Sequence, residues 1–207
     1  MNYSLRDLRV GFISCFFDKK IRSIYLCTSF TIGNYTAILN YISYPLTEPP
    51  FSMSQSLIGF IYVATLSGVF GSIIFGRFIG QIFDISLYRI ALFTIFIGVI
   101  FTVSNFIWLV IVGLLLVSFG LFASNAIASN WIANNSPEQY KTEANSLYSI
   151  FYYVGSSVIG WLSGYLFSFL GWTFFMILIG FILLILILFI GNVREHNINH
   201  KLLDVNR

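Results

Sequence analysis

The sequence predicts an all-α integral membrane protein: six transmembrane helices arranged as two inverted three-helix repeats. Three observations predict it. Of 207 residues, 57% are hydrophobic and only 9% are charged, whereas a soluble domain carries about 25% charged residues. The charges are clustered, leaving uncharged runs over 23–47, 49–76, 90–137 and 144–193. Segments with polar, small-residue and bland faces then recur in the same order in both halves of the chain.

A bilayer crossing takes about 20 residues at 1.5 Å per residue. The first two runs therefore hold one crossing each. The last two, 48 and 50 residues long, hold two each, and Ser104-Asn105 and Leu170-Gly171-Trp172 mark where each folds back. The expected spans are 24–43, 57–76, 88–104, 107–130, 146–168 and 172–191, within a domain over 23–193. Residues 1–22 form a cytoplasmic lead-in. There "VGFISCFF" has basic flanks and no small-residue cleavage site, the pattern of a helix on the membrane surface rather than a signal peptide. Residues 194–207 form a cytoplasmic tail. Cys15 and Cys27 lie toward the reducing side, where a disulfide is not expected.

The segments differ in character. The first carries Asn34, Asn40 and Tyr41. The second carries a row of small residues four apart: Ala64, Gly68, Ser72, Gly76 and Gly80. The third, "ALFTIFIGVIFTV", is bland. The fourth carries Ser118, Ser124, Asn125, Ser129 and Asn130, the fifth a second small row at Ser156, Gly160 and Gly164, and the sixth, "FILLILILFIG", is bland again. Small residues allow close helix approach in lipid, where apolar burial no longer drives association. Gly68, Ser72, Gly76, Ser156, Gly160 and Gly164 are thus the expected helix-packing seam. A buried amide without a partner costs several kcal/mol in hydrocarbon. Asn34, Tyr41, Asn125 and Tyr152 are accordingly the candidates for a substrate cavity. The simpler alternative is interhelical hydrogen bonding, worth about 0.6–2 kcal/mol per contact. Two triplets with an odd number of crossings each must be inverted relative to one another, a plan common in secondary transporters.

All eleven Lys and Arg residues fall before the first span, in the second and fourth loops, or in the tail. The excess of Lys and Arg marks the cytoplasmic side, so both termini are expected there. The net charge of +3 is then topological and calls for no nucleic-acid partner. All eight acids lie in expected loops or tails, leaving no evident proton site at membrane depth. His196 and His200 have helical i, i+4 spacing, but Glu195 is the sole further ligand type nearby. A solvated tail explains them better than a metal, and no cofactor is implied. An intramembrane enzyme would need a nucleophile–base pair or metal cluster within the spans, and none is visible.

Two stretches carry a family resemblance. "FASNAIASNWIANNSPEQYKTEANSLYSIFYYVGSSVIGWLSG", 122–164, resembles the tenth helix, following loop and eleventh helix of the major facilitator superfamily. "GRFIGQIFDISLYR", 76–89, resembles its cytoplasmic loop motif G-x-x-x-D-R-x-G-R-R at Gly80, Asp84 and Arg89, with Ile85, Leu87 and Tyr88 standing where the family has Arg, Gly and Arg. The resemblance is strongest to bacterial inner-membrane arabinose and multidrug efflux members, and covers about residues 4–193. It implies the C-terminal six-helix half of a small-molecule exporter driven by proton antiport, in a bacterial inner membrane. The expected partners are the lipid bilayer, an unknown small-molecule substrate, and a complementary N-terminal half or a second copy. A remnant of a broken transporter gene is the third reading. The resemblance also implies that Asp84, with Arg77 or Arg89, forms a cytoplasmic gating latch. Surface ion pairs contribute about 0–1 kcal/mol, so an isolated pair would decide little.

The orientation is directly testable. Alkaline phosphatase fused at either terminus should be inactive and a fluorescent reporter bright, as both require for a cytoplasmic location. Phosphatase activity at either end would overturn the topology.

Overall fold

The computed structural model describes residues 5–191, and these are almost wholly helical. Helix α1 spans Leu5–Phe17. Helix α2, Lys19–Tyr41, begins five residues before the expected span because Asp18 caps it, its carboxylate accepting from the N–H groups of Lys20 (2.8 Å) and Ile21 (3.0 Å). Capping satisfies donors that the first turn leaves unpaired. The short α3, Ser43–Thr47, leads out of it. Helix α4, Gln55–Ile61, continues through a 3-10 turn at Tyr62–Leu66 into α5, Ser67–Phe78.

Helix α6 spans Asp84–Phe101, starting four residues early with an acid in its first turn, where the helix dipole favours one. Helix α7 spans Ile107–Asn135 and runs past the expected end until Ser136-Pro137 stops it. A 3-10 turn, Glu138–Tyr140, leads into α8, Lys141–Val154, which passes through a π-helical turn at Gly155–Ile159 into α9, Gly160–Ile190.

Four stretches are long and apolar enough to cross a membrane: Gln55–Phe78, Asp84–Phe101, Ile107–Asn135 and Glu138–Ile190. Helix α2 has the length, at 23 residues, but its Thr, Ser and Asn side chains dilute its apolar character below that of the other four. The 53-residue stretch is interrupted at Gly171, whose φ of 66° and ψ of 175° leave the helical region. In a continuous helix Phe167 and Phe175 would be about 12 Å apart along the axis. Their ring centroids are 5.8 Å apart, so the chain folds back at Gly171. Gly171 adopts a conformation nearly closed to other residues.

Helix α7 is the centre of the bundle, packing on α2, α5, α6 and α8. Its tightest partner is α6, expected to be bland. A Cβ added at Gly98 of α6 would lie 2.7 Å from the Gly113 carbonyl oxygen of α7, and one at Gly120 2.7 Å from that of Ala91. Ala91, Leu92, Ile95, Gly98 and Val99 are all buried. The sequence hid this because its three small residues are spread over two helices instead of forming one visible row.

Gly98→Ala should therefore lower the thermal midpoint in detergent, at a cost of about 1–3 kcal/mol for overpacking. Gly180→Ala should be neutral or slightly stabilising, since its added Cβ meets Phe96 at an ordinary 3.5 Å. Equal midpoints for the two variants would sink this account of the α6–α7 contact.

Candidate functional site

One face of α7 presents Phe122, Asn125, Ala126 and Ser129, at the i, i+3, i+4, i+7 spacing of a single helical stripe. Facing it, α8 presents Tyr148, Ser149, Tyr152 and Tyr153, and Ser72 of α5 closes one edge. Together they line an open cavity of about 470 Å³ with no charged side chain in its wall. The Tyr148 hydroxyl lies 3.4 Å from both Asn125 Oδ1 and the Asn125 carbonyl oxygen, to which it donates. Ring centroids of Tyr148 and Tyr152 are 6.4 Å apart, and those of Tyr152 and Tyr153 5.5 Å. The wall thus offers aromatic faces, hydroxyls and one amide, suited to a small molecule held by stacking and a few hydrogen bonds.

Of the four cavity candidates, the structure brings Asn125 and Tyr152 together and places the others elsewhere. Tyr41 stacks on Phe167 at 5.0 Å and meets Phe175 edge-on at 6.1 Å, an aromatic cluster at the other end of α2. Asn34 is buried in the bundle with its Nδ2 making no hydrogen bond. Tyr148 and Phe122 were not singled out from sequence. The i, i+4 pair Tyr148–Tyr152 and the spacing of Phe122, Asn125 and Ser129 were the available signals.

A hydroxyl cluster lies behind the wall. The Tyr88 hydroxyl is directed at Thr28 and Thr31 of α2, yet neither Tyr88 OH nor Thr28 Oγ1 closes a hydrogen bond. Thr31 donates to the Cys27 carbonyl at 2.7 Å.

The loop motif has a local structure of its own. Gly80 is exposed with φ of 78°, and its N–H donates to Asp84 Oδ1 at 3.2 Å. Among the described residues the one ion pair is Lys141–Glu138, at 2.7 Å. Asp84 is joined to neither Arg77 nor Arg89 by such a contact. The Arg89 guanidinium instead lies against Gly191, 3.4 Å from where its Cβ would be, so a cation sits at the C-terminal end of α9. The three motif departures are the positions the bundle buries: Ile85 is 6% exposed, Leu87 4% and Tyr88 1%. Arginine at such depth would need an acidic partner, and the acid nearest in sequence, Asp84, is taken up by the Gly80 N–H.

The seam residues divide. Gly68 packs against the Phe122 ring. Ser72 donates to the Val69 carbonyl and edges the cavity. Ser156 is hydrogen-bonded to Thr36 at 2.9 Å. An added Cβ at Gly160 would meet Thr36 Cγ2 at 2.9 Å, and one at Gly164 the Tyr41 hydroxyl at 2.6 Å. These five make contacts inside the chain, whereas Gly76 faces open space.

Glu143, expected among the loop acids, is 2% exposed and is the one buried charged side chain among the described residues. It sits in the first turn of α8 beneath Gly11 of α1, and its Oε2 makes no hydrogen bond. His196 and His200 lie outside the described residues. Among those described, no cluster of three metal-ligating side chains occurs.

Tyr88→Phe should leave the thermal midpoint unchanged or raise it, because a buried hydroxyl left unbonded costs about 1–3 kcal/mol. A clear drop in midpoint would mean that Thr28 and Tyr88 do bond and that the cluster stabilises the bundle.

Comparison with known proteins follows the same lines. The model of the Major Facilitator Superfamily matches residues 23–202. An uncharacterized MFS-type transporter, YybF of Bacillus subtilis (strain 168), is 31% identical over 181 residues, which cover 87% of this chain and 45% of that protein. An uncharacterized transporter of Buchnera aphidicola subsp. Schizaphis graminum (strain Sg) is 37% identical over 158 residues, 74% of this chain and 38% of that protein. The chain therefore spans less than half the length of these relatives. A helical bundle with spans of membrane length, an uncharged cavity and a family match over most of the sequence lead to one conclusion: the chain belongs to the Major Facilitator Superfamily.

Proposed function

We propose that the chain is one half of a secondary transporter that exports a small molecule. The half comprises six crossings in two inverted triplets, with both termini cytoplasmic in a bacterial inner membrane. The family, whose members are transporters, argues for transport and against enzymatic chemistry. The fold-back at Gly171 supports two crossings in the last apolar stretch, and the length of α2 supports a crossing despite its polar side chains.

The observation that carries the reading is the uncharged cavity between α7 and α8. It has one wall and an open side. Around it, Val69, Phe70, Ile73, Tyr153, Val154 and Trp161 are exposed on the flanking helices. A second set of helices over this face would complete the cavity and cover the apolar rim, as the doubled length of the relatives suggests. A proton-coupling acid would then come from that complementary half, since this half's cavity wall contains none. The buried, well-packed motif departures Ile85, Leu87 and Tyr88 favour a maintained half over a decaying remnant.

Accumulation of ethidium and of arabinose, in cells expressing the chain with and without a complementary six-helix half, tests this. Efflux requiring both polypeptides is expected. Asn125→Ala or Tyr152→Ala should cut it about tenfold, the loss of one hydrogen bond or contact worth about 1–3 kcal/mol. Efflux from the chain alone would establish a homodimer instead, and no efflux of any tested compound by either combination would favour the remnant.

A further inference from the structure

Helix α1 has two apolar faces. Gly11 and Cys15 are buried against α8 and the turn before it, where Cys15 lies 3.9 Å from the Tyr140 carbonyl oxygen and Gly11 faces Tyr140 and Glu143. On its other side Val10, Ile13 and Phe17 are exposed, with Arg9, Lys19 and Lys20 exposed beside them. Exposed large apolar side chains with basic neighbours are the composition of a helix that lies in a bilayer interface.

A polar cleft of about 380 Å³ adjoins this stripe, lined by Asp18, Lys19, Lys20, Ile21, Trp131 and Asn135. The Asp18 carboxylate already accepts from two backbone N–H groups of α2. The two ammonium groups are therefore free to face an incoming anion. Trp131, buried near the end of α7, forms an apolar part of the cleft wall.

We propose that α1 and this cleft form a docking surface for an anionic phospholipid of the membrane that the chain spans. The headgroup phosphate sits at Lys19 and Lys20, and Val10, Ile13 and Phe17 enter the acyl boundary. Charge complementarity selects the occupant: the cytoplasmic leaflet attracts basic segments in proportion to its anionic lipid. Docking presses α1 onto α8 and keeps Cys15 and Glu143 covered. The inference rests on the cytoplasmic orientation proposed above but not on transport, and its readout needs no flux.

Cys15 supplies the readout. Burial pushes its thiol up from the ordinary range, with the Glu143 and Asp18 carboxylates adding to the effect, so it reacts when α1 lifts away. In a Cys27→Ala background Cys15 is the single thiol of the sequence. The full chain in nanodiscs is treated with maleimide, comparing pure phosphatidylcholine with a mixture containing phosphatidylglycerol. Labelling should be roughly tenfold slower with phosphatidylglycerol, as attraction of two lysines to an anionic surface implies. The difference should shrink in high salt, which screens the contact. Lys19→Gln/Lys20→Gln should label at the same rate in both lipids. Equal rates for the unmodified lysines, protection that survives high salt, or protection retained in the double variant would each overturn the proposal. The salt series needs no lysine variant to fold.

Discussion

The bundle depends on how closely α6 can approach α7. In lipid the solvent is as apolar as the side chains, so helices are held by dispersion contacts that fall away steeply with distance. Gly98, Gly113 and Gly120 let the two backbones come within van der Waals contact. That contact fixes α7 as the post around which α2, α5 and α8 are arranged. A face of α7 is thereby left uncovered, and it is the face bearing Phe122, Asn125 and Ser129. The cavity is a consequence of the packing rather than a separate feature of the fold.

The same solvent dictates where polarity survives. Hydroxyls of Ser29, Ser67, Thr102 and Ser163 each donate to a backbone carbonyl, and so satisfy themselves within the bundle. Asn34, Thr28 and Tyr88 do not. All three are buried within the bundle, and Thr28 and Tyr88 face each other between α2 and α6. An α2 poor in apolar residues is tolerable because its buried face is turned to protein, not lipid.

The loop between α5 and α6 shows how a motif changes without its loop losing order. Gly80 supplies the left-handed turn and Asp84 receives its N–H, so the local geometry is held by backbone rather than by arginine pairs. Ile85, Leu87 and Tyr88 then anchor the start of α6 in the core. The start of α6 is thus fixed in the bundle, against α7 and α9, with the Arg89 guanidinium lying against Gly191 at the end of α9.

Much of this was legible in the sequence. Charge spacing located the apolar stretches because the bilayer tolerates few charges at depth, and Gly171 marked a fold-back because few other residues adopt its backbone conformation. Asn125 and Tyr152 were readable as polar side chains at membrane depth, facing either a cavity or another helix. Tyr41 and Asn34 were not separable from them, because periodicity gives the face of a helix but not the neighbour it meets. Only tertiary structure decided that Gly98 and Gly113 face each other, that Glu143 lies under α1, and that Gly160 and Gly164 receive α2. Each of these depends on two segments far apart in the chain arriving at the same depth and rotation. Sequence sets what each helix can touch, and packing sets what it does touch.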